Sequence, residues 1–215
     1  MTSPMRRVIA WRRREFVAVA SALFSAGCAQ PPPPVEPDPC NVQIVKLRLY
    51  GSDFINPNDA ERPRPVVVRL YQLSNDLRMQ NASYDDILER DAEVLGEDML
   101  KRDEVQLFPN GVVEVKFERI PEAFYLAGAA MFHGPQGRSW RTFYEFPPMP
   151  NAPEACQADA GAEDPAAPQA FPETAFFVVE RKIDNGSQFD ETMFDTAQDY
   201  GAINLPRRSA SPEGG

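Results

Sequence analysis

The stretch Arg62-Pro-Arg-Pro-Val-Val-Val-Arg-Leu-Tyr-Gln-Leu73 constrains this chain more than any other. Pro63 and Pro65 have no amide hydrogen to donate and push the residues before them into extended geometry, which bars its first half from a helix or a central strand. The second half, Val66 to Leu73, is β-branched, aromatic and aliphatic, a composition suited to a pleated, half-buried sheet. A stiff approach to a core strand holds the loop ahead of it, Gly51 to Glu61, in place. That loop is the first candidate for function.

Hydrophobic residues make up 43% of the 215, enough for a core, but 22 prolines are too many for one compact fold. Thirteen of them fall in two segments, 31–39 and 147–172, so the excess belongs to linkers. Five arginines and Glu15 precede Cys28, which leaves 17 basic against 31 acidic residues in the rest of the chain. An acidic body without basic runs excludes nucleic acid as a partner, since phosphate neutralisation needs clustered lysine and arginine.

Residues 1–27 read as an export signal: Arg6, Arg7, Arg12, Arg13 and Arg14 precede an uncharged run from Phe16 to Ala26. That run is shorter than the roughly 20 apolar residues of a membrane-spanning helix. It ends Ser25-Ala26-Gly27-Cys28, which resembles a bacterial lipobox with serine in place of the usual leucine. Cys28 is therefore the expected lipidation site. Ala29, where aspartate would signal retention in the inner membrane, favours the outer membrane. Arg13-Arg14-Glu15-Phe16-Val17 also looks like a twin-arginine motif, so both that export route and the general one stay open. From Ala29 to Pro39 a proline-rich stalk, at about 3.1 Å per residue, spaces the body from the anchor by roughly 35 Å.

Two further cysteines, Cys40 and Cys156, are either a disulfide or two free thiols. In the body, Val45, Leu47 and Leu49 alternate with Lys46, Arg48 and Tyr50, the pattern of a half-buried strand. Ser83-Tyr84-Asp85-Asp86 is a capping-box start to the one helical region, with Gly96 as its C-terminal stop and one short helix or two between. Strand signals resume over Glu104–Phe108, Val112–Ile120, Ala123–Phe132, Ser139–Phe146 and Ala175–Ile183. The fold class expected is all-β with a small helical insertion, an antiparallel β-sandwich of about seven or eight strands.

The expected organisation is a signal over 1–27, the lipidated cysteine and tether over 28–39, and a sandwich core over 40–146 with its helical insert near 82–96. A Pro/Ala/acid-rich insertion over 147–172, a last core strand over 173–185 and an extension over 186–215 follow. In that extension Phe189, Met193, Phe194 and Tyr200 either pack on the domain or stay mobile, and the tip from Arg207 is expected to be disordered.

Catalytic patterns are missing from the sequence. His133 is its single histidine and lies in a Gly/Pro turn, read as an exposed turn residue. No nucleophile elbow and no glycine-rich phosphate loop occur, and one histidine without clustered cysteines does not make a zinc site. Asn56, Asn58, Asp59 and Glu61 carry oxygens at loop spacing but lack the glycine and terminal glutamate of an EF-hand. The reading is a non-enzyme with no cofactor beyond the lipid.

The Arg62–Leu73 string resembles TssJ, the family of outer-membrane lipoproteins of the bacterial type VI secretion system. Asp91, Leu95-Gly96-Glu97-Asp98-Met99-Leu100, Leu107-Phe108-Pro109, Trp140-Arg141 and Asn56-Pro57 fit the same family. In that family a glycine usually precedes the arginine-proline run; here it is Glu61. The resemblance implies a transthyretin-like sandwich with a helical appendage, lipid-anchored in the outer membrane and facing the periplasm. It implies docking on the periplasmic C-terminal part of the inner-membrane protein TssM, with TssL reached indirectly. The docking element it implies is the first interstrand loop: Asn56, Pro57, Asn58, Asp59, Ala60, Glu61 and Arg62. The competing reading is a periplasmic lipoprotein that binds a small ligand or peptidoglycan through the sandwich.

Overall fold

The computed structural model describes residues 43–149 and 172–206. The export signal, Cys28, the proline-rich tether, Cys40, Cys156 and most of the 147–172 insertion lie outside the described residues.

The alternating strand read from Val45, Leu47 and Leu49 is the start of β1 (Ile44–Ile55), and these three side chains are fully buried. β1 does not stop at Gly51. Gly51 serves there as a close contact instead of a turn: a Cβ would lie 2.8 Å from the Phe108 carbonyl oxygen. The sequence break at Gly51 is thus corrected to Asn56. β2 (Val66–Leu73) follows, then the helices α1 (Leu77–Asn81) and α2 (Tyr84–Leu95), then β3 (Met99–Leu107) and β4 (Gly111–Glu118). β5 (Tyr125–Ala130), β6 (Arg141–Glu145), β7 (Glu173–Glu180), β8 (Lys182–Asp184) and β9 (Gln198–Asn204) complete the order.

Two sheets form a sandwich, one ordered β8-β7-β1-β4-β9 and the other β3-β2-β5-β6. The described residues hold nine strands, and two of the pairings are parallel, β1 with β7 and β4 with β9. The parallel β1–β7 pair has a simple origin. β6 ends and β7 begins at the end of the sandwich where β1 also begins, as the Lys46 amide bond to the Pro172 carbonyl (2.9 Å) marks.

The core lies between the sheets and continues under the helices. Leu70 faces the first sheet, beside Gly128, whose missing Cβ makes room for the Phe176 ring. The next residue, Tyr71, points to the opposite side and is also fully buried, because α2 covers that face. Each large apolar side chain taken from water in this way contributes about 1.5–3 kcal/mol. The helix starts where its capping box predicts: Ser83 Oγ accepts from the Asp86 amide, and Asp86 accepts from the Ser83 amide. Hydrogen bonds from Ser83 and Arg90 hold the Asp86 carboxyl down to about 2. Gly96, at φ +52, ends it.

After β8 the chain crosses the outer face of the first sheet, where Phe194 packs on Tyr50 and Phe177. It then adds β9 to the edge of β4. Every side chain of β9 is exposed; the strand is held by its ladder, by Tyr200 against Phe108 (centroids 5.3 Å apart) and by Lys101 reaching the Pro206 carbonyl (2.6 Å). Among the described residues no helix is long and apolar enough to cross a membrane.

Candidate functional site

The loop from Asn56 to Pro65 joins β1 to β2 at the end of the sandwich opposite Gln43, where the described body begins. Its first residues face inward. Asn56 is 6% exposed, takes a left-handed backbone (φ +45), and is bonded on every side. Its amide donates to the Glu180 carbonyl (2.7 Å), its Nδ2 donates to the Pro65 carbonyl (2.9 Å), and its Oδ1 accepts from the His133 amide (2.7 Å). Pro57 is buried, and its carbonyl accepts from Arg181 Nη2 at 3.2 Å. These two residues of the expected docking set are foundations. They are not themselves presented to a partner.

The tip closes on itself. Asn58 Oδ1 accepts from the amides of Ala60 and Arg62, both at 3.0 Å, while the Asn58 amide donates to the Arg62 carbonyl. This asparagine turn leaves Asp59, Ala60, Glu61 and Arg62 outward and exposed. Glu61 has φ +52, a left-handed conformation that a glycine takes without strain. A side chain there costs about 1–2 kcal/mol.

Sequence reasoning missed the neighbours that complete this end. His133 is exposed in a bend, as expected, but it is also tied to the loop: its amide is held by Asn56 and its Nε2 lies 3.0 Å from Asp59 Oδ1. Arg181 bonds both the Pro57 and the His133 carbonyls, tying three loops together. No local pattern could have announced them, since His133 is 77 residues from Asn56 and Arg181 is 124 from Pro57. Between loop and α2 lies an open cleft of about 470 Å³, walled by Arg64 and Pro65 on one side and Tyr84 and Leu88 on the other.

Several other residues that carry the family resemblance sit elsewhere and, with Arg102, hold the helices on the sheet. Tyr71 donates to Asp91 Oδ2 at 2.7 Å, and Arg102 Nη1 donates to both Asp91 oxygens at 3.0 and 2.9 Å. Arg69 Nη1 reaches the Ile87 carbonyl of the same helix at 2.7 Å. Burial pushes the Asp91 carboxyl up, but the bonds from Tyr71 and Arg102 and the charge of Arg102 outweigh it, leaving it lowered. Burial beside that carboxylate raises Tyr71 strongly. Arg141 donates to the carbonyls of Ala82 and Gln80 and lies over the Trp140 ring, which meets Tyr84 edge-on. These are mounting residues.

Of the oxygens that suggested a cation loop, those of Asn56 and Asn58 are taken by backbone amides. Among the described residues no group of three or more His, Cys, Asp or Glu side chains is placed to hold a metal ion.

The fold is shared with solved proteins. The T6SS lipoprotein TssJ1 of Pseudomonas aeruginosa aligns at 19% identity over 66% of this chain and 93% of its own, with a TM-score of 0.52. Serratia marcescens Lip, described as a membrane-bound component of the type VI secretion system, aligns at 18% identity over 65% and 94%, with a TM-score of 0.53. A chain of a structure described as a type VI membrane complex aligns at 24% identity over 67% and 98%, with a TM-score of 0.52. No curated protein matches the sequence. Residues 43–160, more than half of the chain, match the T6SS-SciN family, described as type VI secretion lipoprotein, VasD, EvfM, TssJ. On that match the chain belongs to the TssJ family of type VI secretion lipoproteins.

Proposed function

We propose that this lipoprotein is anchored in the outer membrane by acyl chains on Cys28 and docks through the Asn56–Arg62 loop, held by buried Asn56 and Pro57 and touching through its exposed tip, on the periplasmic C-terminal domain of a TssM-type inner-membrane protein. A TssL-type protein joins through that partner, and the chain acts as a structural component of the trans-envelope complex without turnover. The observation that carries this reading is the direction of β1. Its 12 residues, at about 3.3 Å each, span roughly 35–40 Å between Gln43 and the loop. Gln43 and the loop therefore lie at opposite ends of the sandwich, and at the loop end Asp59, Ala60, Glu61 and Arg62 are exposed. The match to a chain of a type VI membrane complex supports the same assembly.

Calorimetry with the periplasmic domain of a TssM-type protein tests it. Replacing Asp59-Ala60-Glu61 by a shorter glycine link should weaken binding at least about tenfold, because exposed tip residues would carry the contact. Unchanged affinity would sink the loop assignment. Cys28→Ser should move the protein from the outer-membrane fraction to the soluble periplasm.

A further inference from the structure

Arginine use at the loop end of the sandwich differs sharply from that in the rest of the described body. Among the described residues, eight basic side chains have a carboxylate within 4.0 Å: Lys46, Arg48, Arg69, Arg78, Arg90, Lys101, Arg102 and Lys116. Buried Arg119 and Arg141 are occupied by backbone carbonyls. The exposed guanidinium groups of Arg62, Arg64 and Arg138 have no carboxylate partner among the described residues, and Arg181 bonds only carbonyls. All four lie on the loops of one end. Arg62, Arg64 and Arg138, left without an acid in a chain with an excess of acids, are the groups still free to form forked bonds to carboxylate.

Arg64 also lines the cleft beside the loop, whose opposite wall is Leu88, 40% exposed on α2, and whose floor includes Met131 and Phe132. The end is not uniformly basic. Asp53, Asp59, Glu61 and Glu180 share it, with Asp59 turned to His133. Such a surface selects spaced carboxylates flanking an apolar residue over a blanket of negative charge, and the acidic remainder of the body repels the same segment elsewhere.

We infer that the cleft receives an extended acidic segment of the docking partner, with an apolar side chain against Leu88, Met131 and Phe132 and a neighbouring carboxylate on Arg64 and Arg62. This rests on the docking reading above and adds to the loop a second, chemically distinct contact.

The full lipidated chain in detergent, titrated by calorimetry with the periplasmic domain of a TssM-type protein, separates the two. Arg62→Glu with Arg64→Glu should weaken binding at least about tenfold and flatten its salt dependence. Leu88→Asp should weaken it comparably, while Lys116→Glu on the outer sheet face should leave it unchanged. Unaltered melting temperatures would show that the variants fold, and the milder Arg64→Ala should lie between wild type and the double reversal. A lysine replacing the partner's matching carboxylate should restore binding to Arg64→Glu. If the charge reversal and Leu88→Asp bind like wild type while the shortened loop does not, the cleft proposal is overturned and the docking reading stands. Wild-type protein that fails to bind overturns both. Sedimentation showing that the cleft pairs two copies of this chain would also overturn the proposal.

Discussion

The helix mount and the loop end use the same side-chain chemistry in opposite ways. At the mount, Arg69 and Arg102 converge on Asp91, Tyr71 adds a hydroxyl, and the helix is fastened to the sheet by a cluster largely closed to water. At the loop end, Arg62, Arg64 and Arg138 point outward with no acid opposite them, and carbonyls and amides do the fastening through Asn56, Asn58 and Arg181. Charges that are satisfied internally hold the fold; charges left open are available to something outside. Substitutions at the two places should therefore separate stability from docking.

The largest effect is expected at Asp91. Asp91→Ala strands the fully buried Tyr71 hydroxyl and leaves Arg69 and Arg102 facing one another without their shared acceptor, which should cost about 3 kcal/mol in urea denaturation. Partner affinity of the folded fraction should change less than twofold. The pH dependence has a definite sign. The folded carboxyl is lowered beneath its unfolded value of about 3.9, so its contribution is complete above that value and is lost as pH falls through the folded one. The stability gap between wild type and Asp91→Asn should accordingly be constant from about pH 6 to 8 and shrink below about pH 4. A gap that widened in acid would show that another group governs the mount.

Asn56 stands between the two behaviours and should show both. Asn56→Ala removes the acceptor of the His133 amide and the donor to the Pro65 carbonyl, and forces alanine into a left-handed backbone. The expected loss is about 2 kcal/mol. Here affinity should fall as well, because the tip is aimed by this residue. Hydrogen exchange of the Asn58–Arg64 amides should accelerate in the variant more than that of β2. If exchange rises everywhere alike, Asn56 belongs with the core and not with the loop.

How much of this was legible depends on the kind of interaction involved. Side-chain burial writes a period into sequence, and the alternation of Val45, Leu47 and Leu49, the Val66–Leu73 run and the Ser83 capping box became β1, β2 and α2. β9 could not be read because its seven exposed residues show no burial period and it is held largely by a backbone ladder any sequence can make. Gly51 was misread for a related reason: glycine marks a turn and a close contact alike, and the Phe108 carbonyl that decides between them is far along the chain. At the candidate site the loop was visible through its prolines and asparagines. Its supports, His133 and Arg181, were not, being joined to it by bonds to backbone atoms that leave no residue-type signature.

Glu61 carries the smallest expected effect and the sharpest division between stability and docking. Its φ of +52 is imposed by the turn in which Asn58 gathers the Ala60 and Arg62 amides, so the strain belongs to the loop and not to the glutamate side chain. Glu61→Gly relieves the crowding at Cβ, worth about 1–2 kcal/mol, but adds unfolded-chain freedom that takes back part of it. The net expectation is a gain of about 0.5 kcal/mol. Glu61→Ala keeps the strain and removes the charge, and should leave stability within about 0.5 kcal/mol of wild type. With an acidic partner segment on Arg62 and Arg64, both variants should bind slightly tighter, since each deletes a like charge beside those arginines. Denaturation midpoints and calorimetry on the pair then distinguish backbone from charge. A stability gain shared by glycine and alanine would mean that the glutamate's charge, and not its left-handed backbone, is what strains the tip.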